Sequence, residues 1–357
     1  MTATVQATLD PAALLTELLR TPSITGSTAA AATRLVELSL HAGFDSSIDT
    51  AGNVVMRWGN GPATSDVLLL GHLDTVPGDI PVRLHEGRLH GRGSVDAKGP
   101  LAAALGAVAS FPVDGAPITV VAVCDEEGPS LGARHLRRRT APSALVVLEP
   151  SGCDTITTGY RGCVRVRAAI ERPSAHHAAR EASAADLLVA AVAALQRQLG
   201  SSGGAVGRDG GRAVDAVQLR VNALHTADRE ATEVAEAAFE VRLPVGVTVD
   251  AALGTVALAF PDARIEVESE CEAVSVARGN RVARGLARAI AAQGVRPRYT
   301  SKTGTCDLNV VWPAWRCDAA VYGPGDSSLD HTPHESIDID DLRRGTAVLR
   351  HALRALR

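Results

Sequence analysis

The stretch "LLLGHLDTVPG", Leu68 to Gly78, is apolar enough for a buried strand, yet it ends in a histidine and an aspartate one residue apart, followed by a proline and a glycine. A continuous apolar run bounded by turn residues is the pattern of a strand covered on both faces, as in parallel sheets. Packing gives no reason for His72 and Asp74 at its end. The neighbouring sequence repeats the pattern. Further strands are expected at "NVVMRW", "PITVVAVCDEE" and "ALVVLEP", with helices through "AKGPLAAALGAVASF" and near "GARHLRR" between them. Such alternation implies an α/β fold with a mostly parallel sheet covered on both faces. Upstream, Asp10 and Pro11 read as the N-cap and first residue of a helix, and a second helix ends near Gly43.

From about Tyr160 the texture changes. "GCVRVRAAIE", a helix through "AADLLVAAVAALQRQL", the strands "AVQLRVNAL" and "EAAFEVRLP", a helix at "DAALGTVALAF" and the strand "ARIEVESE" give a β-α-β-β-α-β order. That order predicts a small two-layer α+β domain of ferredoxin-like type. Near Ala277 the first texture returns, with the helix "RVARGLARAIAAQG", a loop "TSKTGTCDLN", the strand "AAVYGPG" and a closing helix from Leu342. The expected organisation is a catalytic domain of residues 1–160 and 273–357, with a lid or dimerisation domain, 161–272, inserted into it. The Gly-rich run "GSSGGAVGRDGGR" is read as a flexible loop.

Composition narrows the function classes. A chain of 357 residues is longer than one core usually organises, and 46% hydrophobic with 21% charged residues suits a soluble globular protein. The formal net charge of -4 gives no global attraction for nucleic acid or an anionic membrane. No apolar run is long enough to span a bilayer and the N-terminal stretch does not resemble a secretion signal, so the expectation is cytoplasmic. The six cysteines form no C-x-x-C pair, which argues against a disulfide framework or a thiolate zinc site.

Ligands of open α/β sheets bind at the carboxyl ends of the strands. Three expected strands end there in polar groups: one in His72 and Asp74, one in Asp125, Glu126 and Glu127, one in Glu149. The loop "GRGSVDAKG" adds Asp96, and "GDSSLDHTPHE" adds His331. Each has a bland alternative. A lone histidine after a strand usually satisfies a local hydrogen bond, and an acidic triplet often just favours a helix N-terminus. Gathered at one edge, however, so many carboxylates would repel one another unless cations neutralised them. Two histidines and three or four carboxylates suit two zinc-like ions bridged by one acid. The H-x-D spacing puts Asp74 beside His72 as its orienting carboxylate. Of the adjacent pair Glu126 and Glu127, one can bind metal while the other acts as general base. Ser130, Ser151 and Cys124 lack the setting of a nucleophile.

The motifs "GHLDTVP", "GRGSVDAKG", "DEEGPSLGAR", "EPSG" and "HTPHE" occur in an order that resembles the co-catalytic zinc aminoacylase and peptidase family. That family includes acetylornithine deacetylase, succinyl-diaminopimelate desuccinylase and glutamate carboxypeptidases. The resemblance implies one metal on His72, Asp96 and Glu149, a second on Asp96, Glu127 and His331, Glu126 as base and a cis peptide after Asp96. It also implies that a lid-domain histidine in "PSAHHAA", His176 or else His177, reaches a neighbouring subunit's site as an oxyanion donor, which makes a homodimer. "TGYRG", "KTGTCDLNVV" and "YGPGDSSLDHTPHE" look most like the lysine-biosynthesis branch, whose members release lysine or ornithine from an amino-group carrier protein. His334 departs from that branch's usual asparagine and is not taken as a ligand.

The expected activity is therefore a two-metal hydrolase that cleaves an amide to free a basic amino acid. Its cofactors are two divalent ions, zinc with cobalt or manganese as alternatives. Deacetylation of N-acetylornithine or N-acetyl-lysine, a dipeptidase, and a non-catalytic ligand-binding relative are the competing readings. Lys302 and Thr305, in "KTGTCD", and Arg278 are candidates for holding the substrate carboxylate. "RHLRRR", Arg134 to Arg139, is a candidate basic rim for an acidic carrier protein.

Overall fold

The computed structural model describes residues 9–61, 66–174, 181–200 and 212–356. In chain order the first elements are α1 (Pro11–Leu19), α2 (Ala29–His41), β1 (Asp45–Ile48), β2 (Val54–Trp58), β3 (Val67–His72), β4 (Arg83–His85) and β5 (Arg88–His90). Next come α3 (Lys98–Ala109), β6 (Ile118–Val123), α4 (Leu131–Leu136), β7 (Ala144–Val147), β8 (Thr155–Tyr160) and β9 (Gly162–Pro173). They are followed by α5 (Ala184–Gln198), β10 (Gln218–Arg229), β11 (Thr232–Leu243), α6 (Val249–Ala259), β12 (Arg264–Cys271) and β13 (Val274–Ser275). The last are α7 (Arg281–Ala291), β14 (Arg298–Lys302), α8 (Asp307–Trp315), β15 (Asp318–Val321), β16 (Ser336–Asp338) and α9 (Ile339–Leu356).

The chain divides into two compact units, one of residues 1–158, 276–300 and 306–357, the other of residues 159–275 and 301–305. In the first, the strands lie in the order β1-β2-β6-β3-β7-β15-β8. Parallel pairing is confined to the centre, β6-β3-β7-β15, where helical crossovers connect the strands. The outer pairs β1-β2, β2-β6 and β15-β8 run antiparallel, and β1 and β2 are joined by a tight turn in which Asp49 accepts from the N–H groups of Ala51 and Asn53. Every residue of β3 is buried, as its uninterrupted apolar sequence requires. Helix α3, rich in alanine and apolar on every side, is buried along its whole length. Its alanine methyl groups and bare glycines leave room for α1 and α9 to pack closely on it. Asp10 caps α1 by accepting from Ala12 N–H, with Pro11 as first residue.

The second unit has the β-α-β-β-α-β order, with an antiparallel sheet β10-β11-β9-β12. Alternate residues of β11, Ala235, Ala237, Phe239, Val241 and Leu243, are buried with α5 and α6. Ser183 and Asp186 close a capping box on α5.

The structure corrects two expectations. "TSKTGTCDLN" is not one loop: β14 ends at Lys302 and α8 begins at Asp307. The N-cap of α8 is Cys306, whose N–H donates to Asn309, and cysteine at a cap gives no clear start signal. The triplet Asp125–Glu127 follows β6 in a turn, as a strand end should, and α4 starts only at Leu131, which sets aside the bland reading of a helix N-terminus. Arg139 cannot rim a cleft at the carboxyl ends of the strands. With Asp66, Leu68, Thr119 and Trp315 it lines a cavity of about 170 Å³ at their amino ends, because α4 runs back along the sheet. Of the Gly-rich run, residues 201–211 lie outside the described residues. All six cysteines are free thiols, and among the described residues no helix is long and apolar enough to cross a membrane.

Candidate metal centre

The first unit brings together His72, Asp74, Asp96, Glu126, Glu127, Glu149 and His331 at the carboxyl ends of β3, β6 and β7. His72, 1% exposed, is the last residue of β3, and its Nδ1 lies 2.8 Å from the backbone carbonyl of Asp74. With the proton on Nδ1, that carbonyl turns Nε2 towards Asp96 Oδ1, 3.0 Å away, and Glu149 Oε1, 4.0 Å away. The other oxygen of Asp96 faces His331 Nε2 at 3.2 Å, and the same nitrogen lies 2.8 Å from Glu127 Oε1. Asp96 thus spans two imidazoles. Ligand atoms of His72, Asp96 and Glu127 all fall within 4.8 Å of one another.

Asp74 plays a different part from the one its spacing suggested. It orients His72 through its carbonyl, while its carboxylate stands 3.7 Å from Nδ1. The carboxylate accepts instead from the backbone N–H groups of Glu126 and Glu127 and from the Thr25 hydroxyl. Asp74 therefore fixes the turn that aims the two glutamates. Asp125 and His331 both adopt left-handed backbone, each with φ 61, at an energy of about 1–3 kcal/mol apiece that the surrounding bonds must offset. The Asp96–Ala97 peptide is cis.

The electrostatics are those of a crowded acidic site. Burial pushes the Glu126 carboxyl well above its ordinary value, and Glu149, Asp307 and Glu127 add to the rise while His72 opposes it. Burial opposes the charge on His72, yet Asp96 above all holds its pKa well above the ordinary value. His331 is raised to about 10, first by its bonds to Asp96 and then by Glu127. Asp96, although buried, is held low by the two histidines. Each imidazole is thus driven to carry positive charge toward the carboxylates, which a divalent cation would do better. The donor set also fits one in spacing, since tetrahedral N and O ligands at about 2.0–2.2 Å from zinc stand about 3.3 Å apart.

Two residues of this site had no role in the sequence reading. Asp307, fully buried at the start of α8, acts electrostatically on His72, Asp74 and Glu126. Among the described residues neither of its carboxylate oxygens has a hydrogen-bond partner. It was hidden because its segment read as a loop. Glu335 lies at the end of the quoted "HTPHE", with no spacing rule to single it out. His334 is exposed, and its N–H donates to the Thr332 hydroxyl.

Two of the substrate candidates belong to the other unit, and the third, Arg278, lies on the first. Arg278 is exposed, with its guanidinium 5.5 Å from the Tyr299 ring centre. Lys302 and Thr305 belong to the second unit, where the carbonyl of Lys302 accepts from Arg161 N–H. His176 and His177 lie outside the described residues.

Fold and site together define a metal-dependent amidohydrolase, and residues 68–355 match Peptidase family M20/M25/M40, to which the chain belongs. It is similar to a LysW-lysine hydrolase of Deinococcus radiodurans, 38% identical over 350 residues that cover 96% of each chain. A putative LysW-lysine/LysW-ornithine hydrolase of Thermococcus kodakarensis is 35% identical over 92% of this chain and 86% of its own. Among solved structures, the M20 family metallo-carboxypeptidase Sso-CP2 of Sulfolobus solfataricus shares the fold, with a TM-score of 0.81, 17% identity and coverage of 97% of this chain and 99% of its own.

Proposed function

We propose that the protein hydrolyses the amide that links lysine or ornithine to an amino-group carrier protein, in amino-acid biosynthesis in the cytoplasm. The observation that carries the hydrolytic part is the chain of contacts His72–Asp96–His331–Glu127, at 3.0, 3.2 and 2.8 Å, beside the Glu126 carboxyl. The substrate part is supported by near full-length similarity to relatives named for that reaction.

In this reading His72, Asp96 and Glu149 hold one divalent ion and Asp96, Glu127 and His331 a second, with zinc favoured and cobalt or manganese accepted. Bound there, the ions would polarise the scissile carbonyl and acidify water. Glu126 takes the proton of the attacking water and delivers it to the departing amine nitrogen as the C–N bond breaks. Its raised pKa suits both halves of that transfer. Asp74 keeps Glu126 and Glu127 aimed through their N–H groups. His176 would contribute an oxyanion donor to a neighbouring copy in a homodimer. Lys302, Thr305 and Arg278 would receive the substrate carboxylate.

The test is release of lysine and ornithine from a carrier-protein conjugate compared with release from their N-acetyl forms, each with added zinc or cobalt. Preference for the conjugate supports the proposal. Activity confined to the acetyl forms replaces it with a deacetylase.

A further inference from the structure

Glu335 is 1% exposed, and its carboxylate is fully engaged. Oε1 accepts from the backbone N–H groups of Val95, at 2.9 Å, and Asp96, at 3.0 Å. Oε2 accepts from Gly93 N–H at 3.0 Å and from the Arg92 guanidinium at 2.8 Å. The loop from Gly91 to Asp96 therefore wraps one carboxylate. Gly93 makes the wrap possible: its φ of +89 is a left-handed conformation, and a Cβ there would lie 2.9 Å from the Thr75 methyl.

Both ends of this arrangement lead to the metal centre. Asp96, whose N–H Glu335 holds, is the carboxylate between the two imidazoles. Four residues before Glu335 stands His331, and just after it β16 pairs with β5, Ser336 opposite His90. The Arg92 side chain also donates to the Gly78 carbonyl, which ties in the loop that follows Asp74. One buried carboxylate thus joins the segments carrying Asp74, Asp96 and His331.

We infer that Glu335 is a positioning residue, which sets the reach between Asp96 and His331 and so governs the ion those two would share with Glu127. This rests on the metal reading above. An amide could not substitute: whichever way it turned, its NH₂ would face backbone or guanidinium donors. Loss of a group that orients metal ligands typically weakens affinity about 10–100-fold.

The experiment loads full-length protein and Glu335→Gln from zinc buffers of fixed free concentration and counts bound zinc by mass spectrometry. Cobalt absorption and the thermal midpoint of the metal-free proteins are read alongside. The expected result is the ion on Asp96, Glu127 and His331 weakened about 10–100-fold, the other, which also shares Asp96, weakened distinctly less, and turnover recovered at high zinc. Two ions held with the parent's affinities, or both weakened equally together with a lowered metal-free midpoint, overturn the inference. The first leaves the metal reading intact, whereas a parent that binds no zinc removes both. Should Glu335→Gln fail to fold, Arg92→Gln, which keeps the three backbone bonds, should lose several-fold of the affinity for the ion on Asp96, Glu127 and His331 and distinctly less for the other, and equal retention or equal loss of both contradicts the assignment.

Discussion

At the scale of single residues, chemistry is divided among groups that the chain holds by different means. Glu126→Gln preserves size and the Asp74 bonds to the turn but cannot accept a proton. Turnover should fall about 10²–10⁴-fold with bound metal unchanged. Parent-like turnover would assign the base elsewhere. Asp307 gives a second, independent reading of the site. Burial first, and Asp74 next, raise its carboxyl from 3.8 to about 7, against the pull of His72. The folded state then holds more protons than the unfolded one between those values, so stability falls with pH across that window. The contribution is complete below about pH 4 and is lost as pH rises through about 7. In metal-free protein, Asp307→Asn should flatten the decline in thermal midpoint between pH 5 and pH 8, and parallel curves for the two proteins would refute the assignment. His72, Asp96, Glu126, Glu127, Glu149 and His331 were legible as candidates because strand-end and loop motifs carry them to one sheet edge. The carboxylates of Asp307 and Glu335 were not legible, since their meaning lies in which distant N–H groups or charges they meet. Asp74 was legible as a supporter but not in its manner of support: the H-x-D spacing suggests a carboxylate on the imidazole, whereas the backbone carbonyl occupies that position.

Secondary-structure elements place these residues. β3 delivers His72 because its body is apolar throughout and is paired in parallel on both sides, with Leu69 opposite Val120 and Val146. Leu69 is fully buried, and Leu69→Ala should destabilise the protein by about 2–5 kcal/mol in denaturant titration. A loss below about 1 kcal/mol would mean that the strand is not packed as described. The strongly patterned elements, α1, α3, β3, β6 and β7, could be recognised from periodicity and caps alone. α8 could not, because a cysteine cap and the internal Pro313 both weaken the helical signal. Nor could the direction of α4, which carries Arg139 to the edge opposite the metal centre.

For the whole molecule, the return of α/β texture near Ala277 falls just after the main segment of the second compact unit ends at Ser275, while that unit's short segment 301–305 had no signal in the sequence. Sequence order also explains why ligands so far apart in the chain are needed: a parallel sheet collects its carboxyl-end loops from strands separated by helices. The central claim is that this collection exists to hold divalent ions that make amide hydrolysis possible. Its most direct measurement is the rate of lysine release from a carrier conjugate by chelator-stripped protein as zinc is returned stepwise. The account predicts no release without metal and a rate that rises to a plateau at two bound ions per chain. Full-rate release by protein shown to contain no bound metal would contradict it.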